Sequence, residues 1–373
     1  MRLVLTGGGT GGHVYPAVAL AEAFAAEPAF APLAVDFIGT RDGLEATIVP
    51  KAGLPLHVVR AAPLARKLDL SLLRTLATNA AGVFDTLGVL HRLRPDVLIA
   101  TGGYVSLPVV AALRLVRALG RSRARIAVLE PNAAAGLTNR LLAPFVDEIW
   151  YASAPPERSL RAREHVVGVP VRSSMRRALA AADARVHLGI PTRGRVVVVM
   201  GGSQGARSIN DAAAGLVEAG IPSDMHIVMI AGERDYALLR ARLAGRADAT
   251  VLAYLDDPRP AYAAADLVVA RAGASTLGEL AATATPALLV PYPFATADHQ
   301  AHNARAFARG GAARIVSDRE LDAARLRTEI DAALAPEALA AMRAAARRAA
   351  AVDPRATIVA RVKAWSGTKM ASP

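Results

Sequence analysis

Two glycine-rich segments carry the residue types and spacing that hold phosphates. Gly7-Gly8-Gly9-Thr10-Gly11-Gly12 precedes His13, and Gly201-Gly202-Ser203-Gln204-Gly205-Ala206 precedes Arg207. Glycines in such runs let backbone amides approach an anion at a helix start, where the helix dipole adds a positive field. Both segments read as anion-holding turns. The first also contains G-x-G-x-x-G (Gly7, Gly9, Gly12), and Asp36 follows at the end of a second strand, roughly where a ribose-binding acid lies in nicotinamide enzymes. That pattern alone does not single out a dinucleotide, because a merely tight turn fits it as well.

His13 stands where the first loop meets its helix. A helix N-terminus disfavours the imidazolium and keeps the ring neutral, which suits a general base. Thr101-Gly102-Gly103-Tyr104-Val105-Ser106 follows another apolar run and reads as a second flexible loop of the same wall. Glu130-Pro131-Asn132 follows a third; its carboxylate could position a hydroxyl, act as a base, or brace the loop. In the second half, small residues at 271–278 let amides line a diphosphate, with Ser275 and Thr276 among them. Glu279 falls three or four residues into the next helix, where it could accept both hydroxyls of a ribose, although a capping box from Ser275 or Thr276 also explains an acid there. Asp298-His299-Gln300 and Asn303 form a polar group on a loop after a core strand, which favours ligand contact over packing. H-E-x-x-H, G-x-x-x-x-G-K-[ST] and G-x-S-x-G are all absent, so metallohydrolase, P-loop ATPase and triad-hydrolase readings have no support.

The elements that must position these residues alternate along the chain. Apolar runs at 2–5, 35–38, 97–100, 126–129, 196–200, 226–230, 267–270 and 287–290 are separated by longer Ala/Leu-rich amphipathic stretches. Consecutive Val and Ile fit parallel strands covered on both faces, and the alternation predicts an α/β fold. Each glycine loop follows a buried strand and opens an Ala-rich helix, so the chain reads as two Rossmann-like doubly wound domains facing across a cleft. The expected divisions are 1–165, 166–350, and a final helix and tail at 351–373 that crosses back to the first domain. Pro155-Pro156 and Gly168-Val169-Pro170 mark the linker.

Composition narrows the partners. With 373 residues, 53 % of them hydrophobic and 20 % charged, the chain is not a disordered one. Zero Cys excludes disulfide scaffolds, Cys-ligated metals and thiol nucleophiles. No signal peptide and no spanning helix is expected, so the protein reads as soluble and cytoplasmic. A net charge of +12 points to nucleic acid, an anionic membrane or a phosphorylated substrate. Arg114, Arg117, Arg121, Arg123 and Arg125 meet no acid between Asp96 and Glu130, but the aromatic interleaving of a nucleic-acid surface is missing, so nucleic acid is not expected as a partner.

Taken in order, Gly8–Pro16, Gly102–Ser106, Glu130-Pro131-Asn132 with Gly136–Asn139, Gly168–Arg172, Gly201–Arg207 with Asn210, 271–279, and His299-Gln300 with Asn303 resemble the bacterial N-acetylglucosaminyltransferases that convert lipid I to lipid II, members of glycosyltransferase family 28. The resemblance covers about residues 1–350. It departs at Leu129-Glu130-Pro131-Asn132, where the family has H-E-Q-N, at Ser106-Leu107-Pro108, where it often has S-G-P, and at Arg271-Ala272-Gly273, where R-S-G is usual.

The resemblance implies a GT-B fold and an inverting transfer that needs neither metal nor cofactor. It implies UDP-N-acetylglucosamine as donor and undecaprenyl-linked lipid I as acceptor, attacked through its C4 hydroxyl. His13 is the first choice for the base and Glu130 the second. Thr10, Gly11, Gly12, Tyr104 and Asn132 would face the acceptor. Arg172, Ser203 and Gln204 would hold the nucleotide and diphosphate, the main chain of Leu255 the uracil edge, Ser275 and Thr276 the diphosphate, Glu279 the ribose, and His299 and Gln300 the sugar. Part of the region with Leu68, Leu70, Leu72, Leu73, Leu76, Val83 and Phe84 among Arg66, Lys67, Arg74, Arg92 and Arg94 would dock on the anionic inner leaflet, placing the enzyme at the cytoplasmic face of the inner membrane beside other cell-wall synthesis proteins, although a core helix with a solvated face fits the same residues. Competing readings are a transferase with another lipid or natural-product acceptor, a nicotinamide dehydrogenase, and a non-catalytic membrane scaffold.

Overall fold

The computed structural model describes residues 1–63, 70–154, 163–202 and 205–367. The chain divides into two compact units, Met1–Ser173 with Asp353–Pro373, and Ser174–Val352. The first unit is built on β1 (Arg2–Thr6), β2 (Ala34–Gly39), β3 (Leu56–Val58), β4 (Val97–Ala100), β5 (Arg125–Glu130), β6 (Glu148–Tyr151) and β7 (Arg163–Val166). Its helices are α1 (Gly11–Ala25), α2 (Glu45–Lys51), α3 (Leu70–Leu93), α4 (Ser106–Ala118) and α5 (Leu137–Leu142). The strands form one parallel sheet in the order β3-β2-β1-β4-β5-β6-β7.

In the second unit α6 (Ala181–His187) leads into β8 (Arg195–Met200), α7 (Arg207–Glu218), β9 (Met225–Ile230), α8 (Glu233–Arg242), β10 (Ala249–Leu252), α9 (Arg259–Ala264) and β11 (Leu267–Ala270). Then come α10 (Ala274–Ala282), β12 (Ala287–Leu289), α11 (His299–Ala308), β13 (Ala313–Ile315), α12 (Ala323–Leu334) and α13 (Pro336–Ala350). This sheet is also parallel, in the order β10-β9-β8-β11-β12-β13.

All eight apolar runs are strands. Their hydrophobicity is continuous because both faces are covered: Leu3 and Leu5 enter one core layer with Phe24 and Phe37, while Val4 enters the other with Ile38 and Leu98. Strands β3, β6, β7, β10 and β13 lacked that signature. Apart from β6 they are outer strands, three or four residues long with polar positions; β6 was obscured by Glu148, which is buried. Strand order reverses between β1 and β4 in the first sheet and between β8 and β11 in the second. Ligands of doubly wound sheets bind at the carboxyl ends of such a reversal. The loops after β1 and β4, and those after β8 and β11, are the four glycine-containing motifs singled out from the sequence.

The last helix, α14 (Pro354–Gly367), belongs to the first unit. Its Ile358, Val359 and Val362 join Leu3, Leu5 and Phe24 in one core layer. Glu148 fastens it: the carboxylate accepts from Trp150 Nε1 (2.7 Å), Trp365 Nε1 (3.0 Å) and Arg361 (2.7 and 2.9 Å), and the two indoles stack 5.8 Å apart. Burial opposes its ionisation, but the hydrogen bonds from Arg361 and both tryptophans outweigh it and hold the carboxyl below its ordinary range. His165 lies 3.8 Å from this carboxylate, yet its Nε2 accepts from Arg361 at 2.6 Å. Burial, then the Arg361 charge, pushes the imidazole down, so it is neutral here.

Both groups bind a proton more weakly folded than unfolded, so each stabilises the fold above its unfolded value and loses that contribution on acidification. Stability is expected to fall first below pH 6.5, the ordinary value for His165, and again below 4.5, that for Glu148. Burial pushes His226 down as well, so His165→Gln should reduce the first stage rather than abolish it, as read by urea denaturation at several pH values. The chain's 2 tryptophans both sit on this clasp and report its opening by fluorescence.

Candidate active site

In the first unit, Thr10 is the extended N-cap of α1, and Gly11, Gly12 and His13 are its first turn. His13 Nδ1 lies 3.1 Å from the Gly8 carbonyl and 3.2 Å from Thr10 Oγ1. A carbonyl can only accept, so Nδ1 carries the hydrogen and Nε2 carries the lone pair. The loop after β4 closes over the ring. Gly102 (φ +98°) and Gly103 (φ +82°) adopt left-handed backbone, and a Cβ on Gly102 would stand 2.9 Å from the His13 ring. Thr101, expected on a flexible loop, is buried and donates to the His13 carbonyl at 2.7 Å. The Tyr104 ring packs 3.0 Å from the Cβ position of Gly9. Thr10, His13 and Tyr104 are therefore brought to one place.

Glu130 closes the carboxyl end of β5 and is 1 % exposed. Its Oε1 accepts from the Asn132 N–H (2.9 Å) and Nδ2 (3.1 Å), and its Oε2 from the Gly136 N–H (2.9 Å) and Asn139 Nδ2 (2.8 Å). The carboxylate holds the loop's shape, and Asn132 is turned onto it. Two residues were missed by sequence reasoning alone: Asn139, quoted only inside a motif, and Glu45, which accepts from the Gly9 amide. Glu45 opens a short helix and looks like an ordinary first-turn acid. Asp36, expected at a strand end, is the third residue of β2; its carboxylate pairs with His57 (2.8 Å) and Arg2 (3.9 Å). Arg172 also lies in this unit, its guanidinium 5.0 Å over the Tyr15 ring.

In the second unit, Ser203 and Gln204 lie outside the described residues. Around them Gly202 (φ +87°) and Gly205 (φ +71°) turn the chain into α7, whose N-cap is Ala206. Helix α10 begins at Ala274 with Gly273 as N-cap, so neither Ser275 nor Thr276 makes a capping box. Glu279 is consequently the sixth residue of α10, deeper than expected, and accepts from Tyr262 Oη at 2.8 Å. Burial, then the Glu279 charge, pushes the Tyr262 hydroxyl well up, keeping it a donor. The Ser275 hydroxyl is buried without a partner. Leu255 lies in the loop after β10. His299 and Gln300 open helix α11 rather than sitting on a loop, because left-handed Ala297 and Asp298 turn the chain directly into it. His299 Nδ1 meets the Thr296 carbonyl at 2.8 Å, Gln300 accepts from the Tyr292 amide at 2.9 Å, and Asn303 donates to the Ala272 carbonyl at 3.1 Å. Arg271 binds Asp318, Ser208 and the Val290 carbonyl, so it braces these loops. Among the described residues, no group of three or more His, Asp or Glu is placed to hold a metal ion.

Of the expected docking segment, Arg66, Lys67 and Leu68 lie outside the described residues. On α3, Leu73 (63 %), Leu76 (49 %) and Phe84 (73 %) are exposed, with Arg74, Arg92 and Arg94 exposed nearby in sequence, while Val89, Leu90 and Leu93 face the core. Arg117 and Arg125, without an acid nearby in sequence, both reach Asp147. No helix of the described residues is long and apolar enough to cross a membrane.

Glu130→Gln would set an amide NH2 against backbone and side-chain donors. It is expected to lower the unfolding free energy by about 2 kcal/mol, the cost of a buried unsatisfied pair, measured by chemical denaturation.

The glycosyltransferase family 28 N-terminal domain matches residues 3–151, and the family's C-terminal domain matches residues 196–358. The UDP-N-acetylglucosamine-N-acetylmuramyl-(pentapeptide) pyrophosphoryl-undecaprenol N-acetylglucosamine transferase of Desulforudis audaxviator is 40% identical over 361 residues, spanning 93% of this chain and 94% of its own. The crystal structure of Acinetobacter baumannii MurG aligns with a TM-score of 0.74 at 25% identity, covering 97% of this chain and 99% of that one. The calicheamicin glycosyltransferase CalG4 aligns at 0.69 with 16% identity over 100% of this chain and 99% of its own, a likeness of fold alone. With both domain models and a relative of this identity over nearly its full length, the chain belongs to glycosyltransferase family 28.

Proposed function

We infer that this chain is an inverting transferase that moves N-acetylglucosamine from UDP-N-acetylglucosamine to the C4 hydroxyl of N-acetylmuramoyl-pentapeptide on undecaprenyl pyrophosphate, the step from lipid I to lipid II in peptidoglycan synthesis. One observation carries the reading: 40% identity across 93% of the chain to a transferase named for that reaction. Glu279, His299 and Gln300 are all present, which argues against a non-catalytic scaffold. A dehydrogenase would need an acid free to bind ribose after β2, and Asp36 is paired with His57 and Arg2 instead.

In this reading the first unit takes the acceptor, with Thr10, Gly11, Gly12, Tyr104 and Asn132 as contacts. The second takes the donor. Ser203, Gln204 and the amides at Ser275 and Thr276 hold the diphosphate; the Leu255 main chain takes the uracil, Glu279 the ribose, and His299 and Gln300 the sugar. As the acceptor oxygen bonds to the anomeric carbon, the bond to UDP breaks and charge grows on the diphosphate. The N-terminus of α10 and the glycine-loop amides stabilise that charge without a metal. One direct displacement inverts the anomeric centre, so no covalent intermediate is required.

His13 is the base. Its Nδ1 is anchored on the Gly8 carbonyl, which leaves Nε2 as the proton acceptor. Glu130 is the weaker candidate, since both its oxygens already accept hydrogen bonds from the loop it shapes. The enzyme works as a peripheral protein on the cytoplasmic face of the inner membrane, with Leu73, Leu76 and Phe84 of α3 inserted and Arg74 among the flanking basic residues.

Release of UDP from UDP-N-acetylglucosamine should require a short-chain lipid I analogue and survive chelator; release without acceptor, or abolished by chelator, would sink the reading. His13→Ala should lower kcat by about 100-fold or more, and a variant with normal kcat and unchanged pH dependence would move the base elsewhere. In liposome flotation, binding should rise with anionic lipid content and fall in Leu73→Ser/Phe84→Ser; indifference to lipid charge would refute docking.

A further inference from the structure

Glu45, the first residue of α2, has no exposed surface. Its carboxylate lies behind the first glycine loop. Oε2 accepts the Gly9 N–H at 3.3 Å, and Oε1 accepts the Thr40 N–H at 3.1 Å and the Thr40 hydroxyl at 2.6 Å. Glycines clear the space for it: a Cβ on Gly8 would stand 2.5 Å from Oε1, one on Gly39 2.7 Å from Cγ, and one on Gly43 would fall on the carboxylate itself.

The peptide group bonded to Glu45 has a second partner. The Gly8–Gly9 peptide offers its N–H to Glu45 and its carbonyl to Nδ1 of His13, at 3.1 Å. A trans peptide directs these two groups oppositely, so carboxylate and imidazole flank one planar, conjugated unit. Negative charge at the N–H end polarises the amide toward its oxygen and strengthens the hydrogen bond that Nδ1–H donates to it.

We propose that Glu45 is a positioning residue for the transfer, acting on His13 through the Gly8–Gly9 peptide. The proposal rests on His13 being the base. As the acceptor C4 oxygen bonds to the anomeric carbon and the bond to UDP breaks, the hydroxyl proton passes to Nε2. The resulting imidazolium keeps its Nδ1–H on the Gly8 carbonyl, whose polarisation by Glu45 stabilises the positive charge; Glu45 itself takes no proton. It is a histidine–carboxylate pair with one peptide inserted, which orients the ring as a direct carboxylate partner does. Among the described residues, Tyr104, beside Gly9, and Tyr15, beside Gly11, also pack against this loop, the latter under the Arg172 guanidinium.

Glu45→Gln keeps the shape and removes the charge. Two readouts test it: the titration of His13 by 15N NMR of histidine-labelled protein without substrate, assigned through His13→Ala, and steady-state kinetics. The His13 midpoint should move to lower pH, and kcat should fall about tenfold with an unchanged KM for UDP-N-acetylglucosamine, the scale for groups that hold the far nitrogen of a working histidine. An unmoved His13 titration in folded Glu45→Gln overturns the proposal. A moved titration with full kcat overturns the reading of His13 as base instead. Should Glu45→Gln fail to fold, Thr40→Val decides: it removes one hydrogen bond from the carboxylate without touching Gly9, and His13 should then titrate at higher pH, an unmoved midpoint again overturning the proposal.

Discussion

A glycine-rich loop has little shape of its own, and each of its residues loses more freedom on ordering than any other type. In the first unit, buried carboxylates compensate for that loss. Glu45 takes an amide of the loop after β1, and Glu130 gathers the amides and amide side chains of the loop after β5. Each occupies a place where backbone donors converge. Without these anchors the loop amides would have no fixed direction. The same closeness explains why Gly102 and Gly103 carry no side chain, since His13 and the Gly8 carbonyl occupy the space a Cβ would need.

The parallel sheets supply the frame. Reversal of strand order at β1/β4 and at β8/β11 opens a place beside the strand ends in each unit, and the loops there converge because neighbouring strands end at nearly the same level. The second unit uses an arginine where the first uses acids. Arg271, held by Asp318 and Ser208, fixes carbonyls at the end of β12. Arg271 is thus committed to the scaffold of these loops.

Much of this was legible in the residues. Continuous Val and Ile runs mark strands covered on both faces, so the central strands of both sheets and the loops that follow them could be read directly. Outer strands such as β7 and β13 are short and partly polar, and periodicity passes over them. Helix starts were less legible. Gly273 caps α10 earlier than Ser275 would, and left-handed Ala297 and Asp298 launch α11 directly at His299, a conformation that Asp tolerates but Ala seldom adopts. Glu45 was invisible for a different reason: its role depends on Gly8, Gly39 and Gly43 meeting in space, which no local pattern encodes. Asp36 was misread because its strand runs on to Gly39.

Helix α14 has a consequence for how the molecule is made. Its Ile358, Val359 and Val362 complete a core layer that runs from Leu3 and Leu5 near the start of the sequence through Ile99 and Leu129 to Trp150 and Val167. Helix α1 covers part of that layer, and the rest is closed by a segment that the chain reaches only after the whole of the second unit. The first unit, covered by α1 on one face and by α3 and α4 on the other, thus completes its core only with residues that follow the second unit in sequence, so removing α14 should leave part of that core without cover.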